Sequence, residues 1–290
     1  MRKDSQQRLV ERALRRKPVK VVAVTSGKGG VGKTNIAANI AIALAQRCRN
    51  VMLLDADLGL ANVDVLLGLQ PRFNLSHVVS GDIDLSGTVM HGPAGVRIVP
   101  ATSGNHAMTD LSPASQAAII KAFSELADQP EILIVDTAPG ISPEVARFVQ
   151  ASQQAIVVVC DEPASITDAY ALIKVFSRHY GISHFQIVTN QTRNANEGHR
   201  LFDKIRKVTD SYLDVVLRHL GDIPRDRLLQ RAVQEQRAVV DAYPSCSSSK
   251  ALRQIAMKLD ELGATTASGH IEFFFERLLS AGATQVRSSA

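Results

Sequence analysis

The sequence predicts an α/β fold: one doubly wound, mostly parallel sheet with helices on both faces. Two observations carry this. Short runs rich in Val and Ile are apolar on successive residues, and they alternate along the chain with stretches of helical periodicity. Unbroken apolar runs of this length belong to strands covered on both sides, and alternation with helices makes their sheet parallel. The strands fall at 19–25, 51–55, 96–100, 132–136, 155–160, 185–190 and 215–221. Helical periodicity falls at 35–47, 114–127, 166–180, 195–209 and 250–262. There is no internal repeat. A Ser-rich stretch at 244–249 reads as a linker before the last core helix, and small residues at 263–269 read as a hinge. The chain thus divides into a basic arm (1–18), one α/β domain (19–262), and a hinge with an amphipathic helix and tail (263–290).

Composition narrows the class. Of 290 residues, 45% are hydrophobic and 21% charged, as in globular proteins, and no apolar run reaches the ~20 residues that span a bilayer. The N-terminus has no apolar core preceding a cleavage site, so it does not read as a secretory signal. Three unclustered cysteines (Cys48, Cys160, Cys246) fit a reducing cytosol and suggest neither a cluster nor a zinc site. The eight histidines show no metal-ligand spacing and read as ordinary residues. A cytoplasmic location is expected. The net charge of +5 is unevenly placed: residues 1–20 hold eight basic side chains against Asp4 and Glu11, leaving −1 for the rest. A near-neutral body, no Trp and 4% aromatics argue against a nucleic-acid surface, so specific DNA binding is not expected.

The chemistry lies at the strand ends. Gly27-Lys28-Gly29-Gly30-Val31-Gly32-Lys33-Thr34 follows the first strand and leads into a helix beginning near Asn35. This is a complete G-x-x-x-x-G-K-[ST] loop in its required strand–loop–helix setting. Its glycines let backbone N–H groups close around a phosphate at the positive end of the helix. Lys33 would reach the β- and γ-phosphates, and the Thr34 hydroxyl would bind Mg²⁺. The strand 132–136 ends in Asp136, placed to hold Mg²⁺ through water, and Asp55-Ala56-Asp57 ends the second strand. Three strand ends meeting at one switch point mark a nucleotide site.

The loop carries a second lysine, Lys28, and in this it resembles the deviant Walker A of the MinD/ParA ATPases. That family includes nitrogenase iron protein and the arsenite-pump ATPases. The resemblance implies ATP and Mg²⁺, and an ATP-sandwich dimer in which Lys28 crosses to the partner's phosphates. It assigns catalysis to Asp57, Lys28 and Lys33, with Asp57 orienting the attacking water. It assigns the metal shell to Thr34, Asp55 and Asp136, and γ-phosphate sensing to Gly140. Nucleotide binding falls to Gly27, Lys28, Gly29, Gly30, Val31, Gly32, Lys33, Thr34 and Asn35. Asn190 would read adenine, and the turn 221–224, ending in Pro224, would cover the base. Two longer segments, 53–69 (LLDADLGLANVDVLLGL) and 160–174 (CDEPASITDAYALIK), resemble the flagellar-number regulators of the FlhG/FleN type. This resemblance runs from about residue 19 to 279. It implies slow, dimerisation-dependent ATP hydrolysis that regulates the number and placement of polar flagella. The implied target is the AAA+ domain of a σ54-dependent flagellar activator. Two features depart from the pattern: Pro139 stands where a small residue is expected, and the N-terminal arm is longer and more basic.

Both ends suggest partners. In the arm, Leu9, Val10, Ala13 and Leu14 share one helical face, and 4–9 loosely match a motif that docks on the flagellar SRP-like GTPase. Residues 1–17 are therefore read either as that dock or as a solvated basic segment. Ile271, Phe274, Phe275, Leu278 and Leu279 form one apolar stripe, widened by Phe273. Residues 270–280 either lie in a membrane interface or pack on the core, and a nucleotide-driven exchange would allow both. Partitioning ATPase and division-site MinD are the competing readings. An iron–sulfur carrier is disfavoured by the lack of paired cysteines, and a small-molecule kinase by the lack of an acceptor motif.

Overall fold

The computed structural model describes residues 18–57, 62–100, 112–262, 271 and 274–278. Eight strands form one sheet in the order β3-β4-β2-β5-β1-β6-β7-β8. The strands are β1 (Lys20–Thr25), β2 (Val51–Ala56), β3 (Met90–His91), β4 (Arg97–Val99), β5 (Ile132–Thr137), β6 (Gln154–Cys160), β7 (His184–Thr192) and β8 (Val216–Pro224). All pairings are parallel except β3 with β4, a two-residue edge pair that the sequence reading did not contain. Each predicted strand falls within or against one of the other seven.

The helices are α1 (Lys33–Ala45), α2 (Val63–Leu66), α3 (Leu75–Ser80), α4 (Leu85–Thr88), α5 (Pro113–Ser124), α6 (Pro143–Ala151), α7 (Pro163–Tyr180), α8 (Ala195–Tyr212), α9 (Arg227–Gln234), α10 (Val239–Ala242) and α11 (Ser247–Glu261). Several start where a side chain satisfies a free N–H group of the first turn. Ser142, Asn194 and Asp226 accept from the backbone N–H groups of Val145, Glu197 and Leu228, opening α6, α8 and α9. Pro143 and Pro163 sit in first turns, where the missing N–H costs nothing.

Strand residues alternate between the two faces of the sheet, as the pleat requires. Val22 and Val24 enter a cluster with α1 and α11, while Val19 and Val21 face α5. Helix α1 is buried on almost every side, with Asn39 inside. Its amide donates to the Asn35 carbonyl at 2.8 Å and its Oδ1 accepts from Val240 N–H at 3.1 Å.

One expectation changes, and one of two alternatives is observed. The Ser-rich stretch at 244–249 is not a linker: Ser247, Ser248 and Ser249 form the first turn of α11, with Ser248 and Ser249 fully buried. The Ser249 hydroxyl donates to the carbonyls of Val239 and Tyr243, the Ser247 hydroxyl donates to Asp226, and that of Ser248 lies 3.2 Å from Cys246 Sγ, so a run that reads as flexible folds because each hydroxyl finds a partner. The C-terminal stripe packs on the domain: Ile271, Phe274, Phe275 and Leu278 are buried in the cluster that holds Ile119 and Phe123 of α5. Phe275 stacks on Phe123 with ring centroids 3.9 Å apart. The arm 1–17, the hinge 263–269 and the flanking positions of the stripe, Phe273 and Leu279, lie outside the described residues. Among the described residues no helix is long and apolar enough to cross a membrane.

Candidate nucleotide-binding site

The loop 27–32 joins the central strand β1 to the first residue of α1. Gly32 turns the chain into the helix at φ 90°, a left-handed conformation that favours glycine. At Gly27 the constraint is space, since an added Cβ would lie 2.3 Å from the backbone of Asp168 in α7. Ser26, the last residue before the loop, hydrogen-bonds the Lys28 carbonyl through its hydroxyl and accepts the Gly140 N–H at 2.8 Å. The segment after β5 is thereby tied to the phosphate loop.

Beneath the loop, Lys33 Nζ donates to Asp136 Oδ1 at 2.7 Å, with both side chains shielded from water. Burial pushes the Asp136 carboxyl upward; the charge and hydrogen bond of Lys33 and a hydrogen bond from Thr34 oppose it. Its Oδ2 is buried with no hydrogen-bond partner. A buried carboxylate oxygen without a donor suits the water shell of a divalent cation, and Thr34 beside it offers a hydroxyl ligand. Asp55, 1% exposed, stands level with Asp136 across the β2–β5 ladder. Burial, then repulsion from Asp136, pushes its carboxyl up to about 7. Three backbone N–H groups, from Asp57, Val63 and Asn62, pull the other way. Asp55 therefore ties the start of α2 to β2, and its oxygens are partly occupied by that task. The residues present fit Mg²⁺, with Thr34 and Asp136 nearest the form such a shell requires.

Above the loop lies an open cleft of about 1120 Å³. Gly29, Gly30, Gly32, Lys33, Thr34, Asn35, Asp57, Asn190 and Pro224 line it, so most of the expected site residues converge. Gly27, Lys28, Val31, Asp55 and Asp136 do not line it. Val31 instead offers its carbonyl to the Asn190 amide at 2.8 Å, which aims Asn190 at the loop. Lys28 points outward, is 42% exposed, and pairs with Glu162 at 3.1 Å. Such exposed pairs contribute only about 0.2–1 kcal/mol.

The remaining wall was not read from the sequence. Gln191, Arg225, Asp226, Leu229, Val233 and Gln236 line it, from the ends of β7 and β8 and from α9. Arg225 donates to the Gln191 carbonyl at 3.0 Å. Asp226 caps α9 and accepts from Ser247 and Ser248 at the start of α11; these hydrogen bonds outweigh its burial and hold its carboxyl well below the usual range. The available signal was Asp226 itself, a cap residue before an amphipathic octapeptide.

A glycine-rich loop, a buried lysine and strand-end carboxylates around one cleft define a P-loop NTPase. The family model described as ParA, NUBPL iron-transfer P-loop NTPase, matches residues 17–260, and the chain belongs to this family. It is 52% identical over 268 residues to the antiactivator FleN of Pseudomonas aeruginosa PAO1, covering 92% of this chain and 96% of that one. It is 32% identical over 271 residues to the flagellum site-determining protein YlxH of Helicobacter pylori, covering 90% of each. The fold matches the septum site-determining protein MinD complexed with Mg-ADP from Pyrococcus horikoshii, with TM-score 0.67, 23% identity, and coverage of 84% of this chain and 97% of that one. The site is thus that of an ATP-binding NTPase of the MinD/ParA type.

Proposed function

We propose that the chain is an ATP-hydrolysing switch that dimerises with ATP and limits the number and placement of polar flagella by restraining a σ54-dependent activator at its AAA+ domain. The observation that carries the reading is the position of Lys28. It stands on the phosphate loop but outside its own cleft, exposed and weakly held, where a lysine destined for a partner's phosphates must stand. The 52% identity to an antiactivator over nearly the whole chain supports the regulatory output.

In this reading the protein positions and neutralises charge, and no covalent intermediate is needed. Lys33 leaves Asp136 for the β- and γ-phosphates. Thr34 and Asp136 would hold Mg²⁺, which would supply charge neutralisation for the phosphates. Asp57, buried at the cleft wall, aligns water with the γ-phosphorus, and Lys28 of the second subunit completes the field around the spreading charge. Asn190 and Pro224 flank the base. The C-terminal stripe, packed on α5 in the monomer, is released in the dimer for the inner face of the membrane, and residues 1–17 dock on a flagellar SRP-like GTPase. Cys160 does not suit iron transfer: it is buried, and burial pushes its thiol up to about 11, so it holds its proton at neutral pH.

The test is deletion of the gene in its host, with polar flagella counted per cell by electron microscopy. Extra flagella, corrected by the wild-type protein but not by Lys33→Ala, are expected. Normal flagella accompanied by minicells or lost replicons would overturn the flagellar role in favour of division or partitioning.

A further inference from the structure

Three side chains separated in sequence converge at one end of the β8 edge. His219 Nε2 lies 3.0 Å from Asp222 Oδ1, and His199 Nδ1 lies 3.6 Å from Asp222 Oδ2. The three ligand atoms are all within 4.8 Å of one another. We infer that His199, His219 and Asp222 bind one divalent transition-metal ion of the zinc type, distinct from the Mg²⁺ of the phosphate loop. Zinc ligands stand about 2.1 Å from the ion, which sets the edges of a tetrahedral site at about 3.4 Å. The two separations run to different oxygens of Asp222, and with one ligand atom from each residue the three lie within 4.8 Å of one another, so rotations of the exposed His199 and of the carboxylate would close the shell.

The cluster is supported from behind. Thr189 pairs with Asp222 across the β7–β8 ladder, and its hydroxyl donates to Asp222 Oδ1 at 2.5 Å. The α8 backbone presses against the same carboxylate: a Cβ at Gly198 would lie 1.7 Å from Oδ1, so the position admits only glycine without displacing Asp222. The His219 ring stacks on Phe202, centroids 5.0 Å apart and planes at 16°, which fixes where its nitrogens point. Supporting contacts of this kind orient metal ligands and commonly alter affinity about 10–100-fold when removed. His219 and Asp222 are 13% and 15% exposed, whereas His199 is 68% exposed. Two ligands are therefore held in place, and the third gives an entry path.

The donor set selects the ion. Two imidazoles and one carboxylate suit Zn²⁺, Co²⁺ or Ni²⁺, while Mg²⁺ and Ca²⁺ prefer oxygen alone. Binding requires an ionised carboxylate. An ion here would clamp α8 to β8.

The test uses the tag-free full chain, stripped with chelator and desalted. Excess Mg²⁺ and ADP keep the phosphate loop occupied during calorimetric titration with ZnCl₂. One saturable equivalent per chain is expected, with Co²⁺ giving the visible absorption of a tetrahedral centre. Zinc should raise the melting temperature of the wild type, since an ion that binds only the folded state stabilises it. His199→Ala, whose side chain is exposed and whose removal leaves the core intact, should weaken zinc uptake at least about ten-fold. His219→Ala and Asp222→Asn should do the same. No saturable zinc uptake by the wild type, or uptake unchanged in His199→Ala, would overturn the site and leave an ordinary ion pair.

Discussion

Lys33 Nζ and Asp136 Oδ1 stand 2.7 Å apart under the phosphate loop, the lysine buried at the cleft floor and the carboxylate fully shielded from solvent. The pair stores the lysine in place before nucleotide arrives, and it leaves Asp136 Oδ2 without a partner. Removing the cation strands a buried carboxylate. Lys33→Ala should therefore lose at least about 100-fold in phosphate release, the scale seen when one transition-state donor is deleted. It should also lose about 3 kcal/mol of stability at pH 8, the scale for breaking a buried pair. The loss should shrink at pH 5, where Asp136 can take up a proton. Phosphate-release assays and urea unfolding at the two pH values check this; equal stability losses at both would show that Asp136 is not what the lysine neutralises.

Asp55 supplies a pH dependence whose sign can be worked out. Its folded carboxyl is raised to about 7 from an ordinary 3.8, by burial first and by Asp136 second. Between those values the folded chain holds a proton that the unfolded chain releases. Stability is therefore fully present below pH ~4 and declines as pH rises towards 7, by on the order of 4 kcal/mol at most. Asp136 is shifted in the same direction and adds to the slope. Asp55→Asn keeps an Oδ1 acceptor for the Asp57 N–H but removes the titration, so its stability should fall less between pH 5 and pH 8. Urea unfolding of nucleotide-free protein in chelator measures this, and identical pH slopes for wild type and variant would refute it.

Lys28 and Asp57 separate assembly from chemistry. Lys28 lies outside its own cleft, so Lys28→Ala should bind nucleotide with near-wild-type affinity, stay monomeric with ATP and lose turnover. Asp57 lines the cleft, so Asp57→Ala should bind ATP and accumulate as a dimer that does not hydrolyse it. Light scattering of size-separated protein with ATP, beside phosphate release, distinguishes the two. A wild-type-like ATP dimer of Lys28→Ala would sink the trans role, and undiminished hydrolysis by Asp57→Ala would remove the water-positioning role.

What the sequence disclosed and what it hid follow from range. The strands and the loop 27–34 were legible because their signals are local: consecutive Val and Ile, and glycines at fixed spacing before Lys33 and Thr34. Asn190 was legible only through family resemblance, since its link to the Val31 carbonyl spans 159 positions. Helix α9 and Gln236 escaped because nothing local says that they close over a cleft whose floor lies some 200 residues earlier. The seryl run that opens α11 misled for a related reason, because the Ser249 hydroxyl meets the carbonyls of Val239 and Tyr243, and that of Ser247 meets Asp226, only in the folded chain. His199 and His219 looked ordinary because they sit on different elements, α8 and β8, and only the packing of the helix on the strand brings His199 beside Asp222.

The stacked pair Phe123–Phe275 offers a way to test whether the C-terminal stripe is stored and released. Its rings lie 3.9 Å apart, on α5 and on the last described segment. The two partners differ in kind, since Phe123 belongs to the domain core on which the stripe docks, whereas Phe275 belongs to the stripe that would enter a membrane interface. Truncating a buried Phe to Ala costs about 3–5 kcal/mol in a core that cannot collapse. Phe123→Ala should therefore weaken docking while leaving the membrane-seeking face whole, and liposome co-sedimentation should become less dependent on ATP. Phe275→Ala weakens the dock too, but it removes apolar area from the inserting face, so co-sedimentation should fall with ATP as well as without it. The wild type should sediment with anionic liposomes in ATP and not in ADP, and truncation at Gly269 should abolish this. If the wild type sediments equally in both nucleotides, or the truncated chain still sediments, the stripe is simply part of the core and the switch does not exist.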